Sequence, residues 1–384
     1  MMKIGIYNRA WATAGGGENY AGNVAQLLSS RYEVDLISIE EIDWHKVENR
    51  LGLDLSRCNK VLWPKHSCEE LSPRTASYDL FINCAYESAL RPYSKTSALI
   101  CSFPHAIPVE HDLDMKKLIF ARKPSTIPGY IGTEDSIDAL KSYSKIIANS
   151  NFTKGWISKR WGIDSTTVWP CIDDAFYLKD ERIPREKIIL SVGRFFAGGH
   201  NKKHDEMILA FTRLQQEGIL SMEWKLILAG GLHDEDAHHR AYYAKLQSMA
   251  VGHPISIIPN IPFSELVALY KKAAIYWHWA GWGEDPQLHP ERLEHFGITT
   301  CEALASGCVP VLYDSSSQRE ILASCKVGYL FESYDTLSRI MSEIDGAFPD
   351  SLNLDGKVAQ MNNSIFSKVQ FEIRLTSALS GLLR

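Results

Sequence analysis

Short apolar runs alternate with longer amphipathic segments along this chain, and the alternation starts twice. Lys3–Tyr7 predicts a strand, Gly15-Gly16-Gly17 a turn, and Glu18 to about Ser29 a helix with Ala21, Val24, Ala25 and Leu28 on one face. Val34–Ile37, Asp79–Asn83, Ser97–Ser102 and Lys145–Asn149 predict further strands of a buried type. Asn149-Ser150-Asn151 offers N-cap chemistry to a helix carrying Phe152, Trp156 and Ile157. A turn-rich boundary near Pro170 to Pro184, with charged residues from Lys179 to Lys187, interrupts the series. Strands then return at Lys187–Val192, Lys225–Ala229, Ile275–His278 and Val309–Tyr313, with helices at Asp205–Gln216, Glu265–Ala274 and Thr299–Ser306. About Phe366 to Leu383 predicts a last amphipathic helix offering Val369, Ile373, Leu375 and Leu379 for packing. Strand–helix alternation is the pattern of a parallel sheet, and its restart predicts two similar α/β lobes, residues 1–175 and 185–365.

Composition adds bounds. A chain of 384 residues suits two domains of roughly 150–200 each. Hydrophobic residues make up 45% and charged ones 23%, enough apolar material for two cores. The net charge of −5 argues against a nucleic-acid partner, which calls for a basic surface. Lys154, Lys159 and Arg160 read as a solvated helix face. No apolar run approaches the ~18–20 residues of a membrane span, and the first residues read as a strand, not a signal peptide. The eight cysteines form no Cys-x-x-Cys pair and read as small buried hydrophobes of a reducing compartment. A cytoplasmic location is expected.

Three segments carry candidate chemistry. In the first, Glu294-His295-Phe296-Gly297-Ile298-Thr299-Thr300-Cys301-Glu302, two carboxylates flank a glycine and a helix start. The N–H groups around Gly297, Ile298 and Thr299 lack partners inside the helix, and such a terminus attracts phosphate. Glu302 can accept from ribose hydroxyls and Glu294 from those of an attached sugar. Gly307 then ends the helix. In the second segment a strand runs into Gly193-Arg194, and a loop through Gly198-Gly199 returns at Lys202-Lys203. Cations just beyond a strand's C-terminal end suit a diphosphate. The third segment, Gly15-Gly16-Gly17-Glu18, lets backbone approach a ligand, but it is not the Gly-x-Gly-x-x-Gly of dinucleotide binding. His289, Glu291, Glu294 and His295 are dense in potential metal ligands. They lack His-Glu-x-x-His, and Pro290 breaks the helix that motif uses, so no metal is expected.

Together Gly15-Gly16-Gly17-Glu18, Gly193-Arg194 with Lys202, the Glu294/Glu302 spacing and Gly307-Cys308-Val309-Pro310-Val311 resemble the retaining glycosyltransferases of family 4, glycosyl transferase group 1. The resemblance implies the α/β GT-B fold: two Rossmann-like lobes facing across a deep cleft, with the C-terminal helix, 366–384, crossing back to the first. It further implies that Arg194 and Lys202 hold the donor diphosphate, Glu302 the ribose and Glu294 the transferred sugar. Gly16 and Gly17 would approach from the first lobe. Phe296, Gly297, Ile298 and Thr299 would line the donor, and His105 would contact the sugar. Two departures stand out: the loop between Arg194 and Lys202 is long, leaving Lys203 as an alternative, and Ser316-Ser317 replaces the family's glycine pair.

The expected function is retaining transfer of a sugar, mannose being a candidate, from a nucleoside diphosphate to a hydroxyl of a glycan or lipid-linked acceptor. Surface-polysaccharide synthesis is the expected setting. The nucleotide sugar is substrate and no cofactor is expected; a lipid-linked acceptor would bring peripheral contact with the inner membrane face. Alternatives are a non-catalytic two-lobed nucleotide- or sugar-binding protein and a GT-B-fold nucleotide-sugar epimerase.

Overall fold

A computed structural model describes residues 2–64, 67–88, 90–106, 134–178, 184–349 and 365–383. Of the charged stretch 179–187, residues 179–183 lie outside the described residues. The chain divides into two units, Met1–Cys171 with Lys368–Arg384, and Ile172–Ser367.

The first unit is built on β1 (Lys3–Tyr7), β2 (Glu33–Ser38), β3 (Asn59–Leu62), β4 (Leu80–Asn83), β5 (Thr96–Cys101), β6 (Lys145–Ala148) and β7 (Thr166–Thr167). They lie in the order β3-β2-β1-β4-β5-β6-β7, every neighbour parallel. These strands read as continuous apolar runs because both faces are covered. Ile4, Ile6, Leu36, Leu80, Ile82, Ala98 and Ile100 pack into one cluster with the helix Gly16–Leu28. Tyr7, Ile37 and Phe81, one residue out of phase, join Trp63, Leu71 and Tyr78 in another.

The helix Lys368–Leu379 belongs to this unit and buries Phe371, Leu375 and Leu379 in the first cluster. Spacing of four keeps them on one stripe, each burial worth about 1.5–3 kcal/mol. Val369 and Ile373, expected to pack, are instead 65% and 55% exposed, because they fall off that stripe. Arg160 also departs from expectation. It is buried at the end of the helix Asn151–Trp161, where it donates to the Pro104 carbonyl at 2.6 Å and lies over Phe103 and Trp156. Of the cysteines, Cys68 is exposed and Cys325 half-buried while the others are buried.

The second unit carries β8 (Glu186–Val192), β9 (Lys225–Gly230), β10 (Ile255–Pro259), β11 (Ala273–His278), β12 (Val309–Tyr313) and β13 (Tyr329–Phe331). Their order is β10-β9-β8-β11-β12-β13, again all parallel. Strand order reverses between β8 and β11, the switch point at which sheets of this kind leave a crevice beyond their C-terminal ends. Among the described residues no helix is long and apolar enough to cross a membrane.

Candidate functional site

β8 delivers Gly193-Arg194 to the switch point, and the loop that follows returns Lys202 to the same edge. Lys202 can lie back over the strand end only because residue 193 is glycine; a Cβ there would collide with the lysine stem. Arg194 is exposed, its guanidinium 5.6 Å from the Phe196 ring.

β11 ends beside it at His278, and the chain runs from there to Glu294. The Glu294 carboxylate is buried and pairs through Oε2 with the Lys202 ammonium, while His278 Nε2 lies 2.7 Å from the same oxygen. Burial alone would raise the Glu294 pKa. Lys202, the His278 hydrogen bond and His200 outweigh it and hold the carboxyl well below its usual range. Burial lowers the His278 pKa, with Glu294 opposing, and since a carboxylate oxygen can only accept, the Nε2–H donates to it. The His200 and His295 rings stack at 4.7 Å beside this pair.

The adjacent lysine faces elsewhere. Lys203 sits at φ 59° and caps the helix His204–Gln216, and its ammonium meets Glu284 at 2.6 Å. The second Glu284 oxygen takes Arg292 at 3.0 Å. A positive φ is costly for lysine; here an ion pair and the bond from its N–H to Asn201 Oδ1 hold it.

The helix Ile298–Ala305 begins at the same edge. Its N-cap, Gly297, has φ 99°, and the Thr300 and Cys301 amides turn back to the Gly297 carbonyl. The amides of Ile298 and Thr299 precede that ladder and form the positive mouth of the helix. At the other end the Cys308 amide bonds Ala303 O and that of Gly307 bonds Leu304 O, a double closure that needs the left-handed φ of 79° at Gly307. Tyr276 ties the two halves of the site together: its hydroxyl donates to Thr299 Oγ1 at 2.7 Å and lies 3.5 Å from the Val192 carbonyl. Arg194's strand end and the Glu302 helix are therefore one tyrosine apart.

Glu302, in that helix, accepts from the Tyr270 hydroxyl at 3.0 Å. Burial pushes its carboxyl up to about 7, the Tyr270 bond opposing and Asp173 adding. The serines that replace a glycine pair brace the site. Ser316 donates to the Glu294 carbonyl at 2.6 Å, and the Ser317 hydroxyl lies 2.8 Å from the carbonyls of Glu294 and Phe296.

The second unit thus gathers Arg194, Lys202, Lys203, Glu294, Phe296, Gly297, Ile298, Thr299 and Glu302. Gly16, Gly17 and His105 belong to the first unit. There Glu18 accepts from the Gly15 amide at 2.9 Å, from Thr13 at 2.6 Å and from Asn8 at 3.1 Å. His105, 4% exposed, lines a small cavity with Ser102, Phe103 and Trp161. Burial, Arg160 and Arg9 hold it down to about 4, and its Nε2 has no hydrogen-bond partner among the described residues. His289 faces Glu291 at 3.4 Å while His295 and Glu294 face other groups. Among the described residues no three His, Cys, Asp or Glu side chains gather as a metal-ligand set.

Sequence reasoning missed Tyr270, Tyr276, His278, Glu284, Arg292 and the bracing role of Ser316 and Ser317. Tyr276 and His278 had a signal: polar atoms two apart, hence on one face, in a strand otherwise wholly apolar and ending at the site.

Residues 174–345 match the family described as glycosyl transferases group 1. The chain is similar to a GDP-Man:Man(3)GlcNAc(2)-PP-Dol alpha-1,2-mannosyltransferase from Xenopus laevis, 25% identical over 284 residues, 71% of this chain and 54% of the relative. It therefore spans about half the length of the curated relatives it matches first. Among solved structures it resembles sucrose-phosphate synthase from Thermosynechococcus elongatus, with TM-score 0.68 and 14% identity over 100% of this chain and 99% of that one. It also resembles WaaG, a glycosyltransferase involved in lipopolysaccharide biosynthesis, with TM-score 0.66 and 13% identity over 99% of each. These likenesses establish the GT-B fold, two Rossmann-like units.

Proposed function

We propose that this chain, which belongs to the glycosyl transferases of group 1 through residues 174–345, transfers a sugar from a nucleoside diphosphate to an acceptor hydroxyl with retention of configuration. One observation carries the reading. A single switch point gathers the cations Arg194 and Lys202, the open start of the helix Ile298–Ala305, and the carboxylates Glu294 and Glu302. That set matches a donor piece by piece: cations and amides for the diphosphate, Glu302 for the ribose, Glu294 for the sugar.

In the transfer, the bond from the anomeric carbon to the phosphate oxygen breaks and a bond to the acceptor oxygen forms on the same face. The acceptor proton passes to the departing phosphate oxygen. Lys202 and Arg194 hold the negative charge that grows there, so no protein nucleophile and no divalent metal enters the proposal. GDP-mannose and a lipid-linked oligosaccharide are the first substrates to try, since the similar Xenopus protein is named for them. A lipid-linked acceptor would bring the enzyme to a membrane surface.

The test is incubation of the full chain with GDP-mannose and with UDP-, ADP- and dTDP-sugars, over a panel of glycan and lipid-linked acceptors, with and without EDTA. Release of nucleoside diphosphate with a glycosylated acceptor of retained anomeric configuration is expected in both conditions. Tight nucleotide-sugar binding with neither hydrolysis nor transfer across the panel would overturn it.

A further inference from the structure

Lys202 and Glu294, which the reading above gives to the diphosphate and to the sugar, are ion-paired with each other. The pair is enclosed, with side chains 18% and 9% exposed. Among the described residues no second lysine stands ready at Glu294, because Lys203 is committed to Glu284 at 2.6 Å, and Arg292 to the other oxygen of that acid at 3.0 Å. The other side-chain partner of the Glu294 carboxylate among the described residues is His278, at 2.7 Å. A diphosphate that draws Lys202 away therefore strips a buried carboxylate of its ammonium partner, which is costly. A complete donor offsets the loss, because its sugar hydroxyls donate to the same carboxylate. A nucleoside diphosphate without the sugar has nothing to offer in exchange.

We infer that Glu294 is a specificity-determining group that sets this site against a nucleoside diphosphate lacking its sugar. The inference rests on the reading of the site as a nucleotide-sugar site. After transfer the hydroxyls leave with the acceptor, Lys202 returns to Glu294, and the spent diphosphate is displaced. The same carboxylate then serves twice, recognising the sugar before transfer and helping discharge the product afterwards.

The experiment is calorimetric titration of the full chain with GDP, UDP, ADP and dTDP and with the corresponding nucleotide sugars. For whichever base binds, the wild type should hold the nucleotide sugar more tightly than the bare diphosphate. Glu294→Gln keeps the volume and an acceptor for His278 but removes the charge. It should bind the bare diphosphate about tenfold tighter, equivalent to about 1.4 kcal/mol, and lose the preference for the sugar. In a Lys202→Met background the same change should bring no gain, since no ammonium is left to liberate. A folded Glu294→Gln protein that binds the diphosphate no better than wild type overturns the inference. So does a wild type that binds diphosphate and nucleotide sugar equally, a result that depends on no variant. Failure of every nucleotide to bind the wild type is a distinct outcome, because it removes the reading of the site along with the inference.

Discussion

The loop after β1 and the loop after β8 occupy the same place in two sheets of the same winding, yet they are furnished in opposite ways. Each follows the strand beside the reversal of order, β1 against β4 and β8 against β11. After β1 the turn is glycine, and its one acid, Glu18, spends both oxygens on the loop itself through Gly15, Thr13 and Asn8. After β8 the loop carries Arg194, Lys202 and Lys203, and across from it stand Glu294 and Glu284. Winding dictates where a ligand can sit; the charges placed there decide which ligand it can be. On the proposed reading the second unit is furnished for a diphosphate; in the first, the exposed Arg9 is bonded to the Tyr86 carbonyl and His105 is buried and neutral.

The largest expected effect comes from erasing that difference. Lys202→Met removes the cation at the β8 edge and should lower kcat/KM by about 10²–10³, the scale of losing one donor to a developing oxyanion. Steady-state kinetics with the identified donor checks this. If Lys203→Met does the same damage, the two lysines are interchangeable and the geometry that separates them is irrelevant to function.

That separation also shows what could be read from the sequence and what could not. The acids at 294 and 302, the glycines at 193, 297 and 307 and the central strands were legible, because buried parallel strands are apolar on both faces and glycine marks close approach or left-handed backbone. Lys202 and Lys203 could not be told apart, since adjacency gives no direction. The φ of 59° at Lys203 sends its ammonium to Glu284 and leaves Lys202 to Glu294. Edge strands were illegible for a different reason: β3 is short with three of four residues exposed, and β10 ends in proline. The helix Ala237–Ala250 buries only Leu246 and so has no stripe to read. By contrast Leu337, Ile340, Met341 and Ile344 form a plain helical stripe in Tyr334–Gly346, a signal the strand-led reading passed over.

A smaller effect sharpens the electrostatic side of the comparison. Burial raises Glu302 from 4.5 to about 7. The folded chain holds that proton more tightly than the unfolded one. The group's stabilising contribution is therefore full below about 4.5 and is lost as pH rises through about 7. On the proposed reading, ribose hydroxyls donating to the ionised form would favour it, so donor binding should release a proton and tighten with rising pH. About a tenfold gain in donor affinity between roughly pH 6 and 8 is expected, one unit of linkage being 1.36 kcal/mol. Titrations in two buffers of different ionisation enthalpy would expose the proton. Glu302→Gln should flatten the profile, and an unchanged slope in that variant would assign the titration to another group.

The smallest effect tests whether the glycine loop of the first unit does more than turn. Gly17 lies in the first turn of the helix Gly16–Leu28, and a Cβ there would meet only Ser102 Oγ at 3.8 Å, an ordinary contact. Alanine inside a helix is favoured over glycine by about 0.5–1 kcal/mol, so Gly17→Ala should raise Tm by a few degrees. If the glycine is there to let donor or acceptor approach the backbone, the same variant raises KM several-fold while melting higher, a combination that packing damage does not produce. A Gly17→Ala protein that melts higher with an untouched KM reduces the loop to turn geometry, and substrate recognition would then fall to the charges of the second unit.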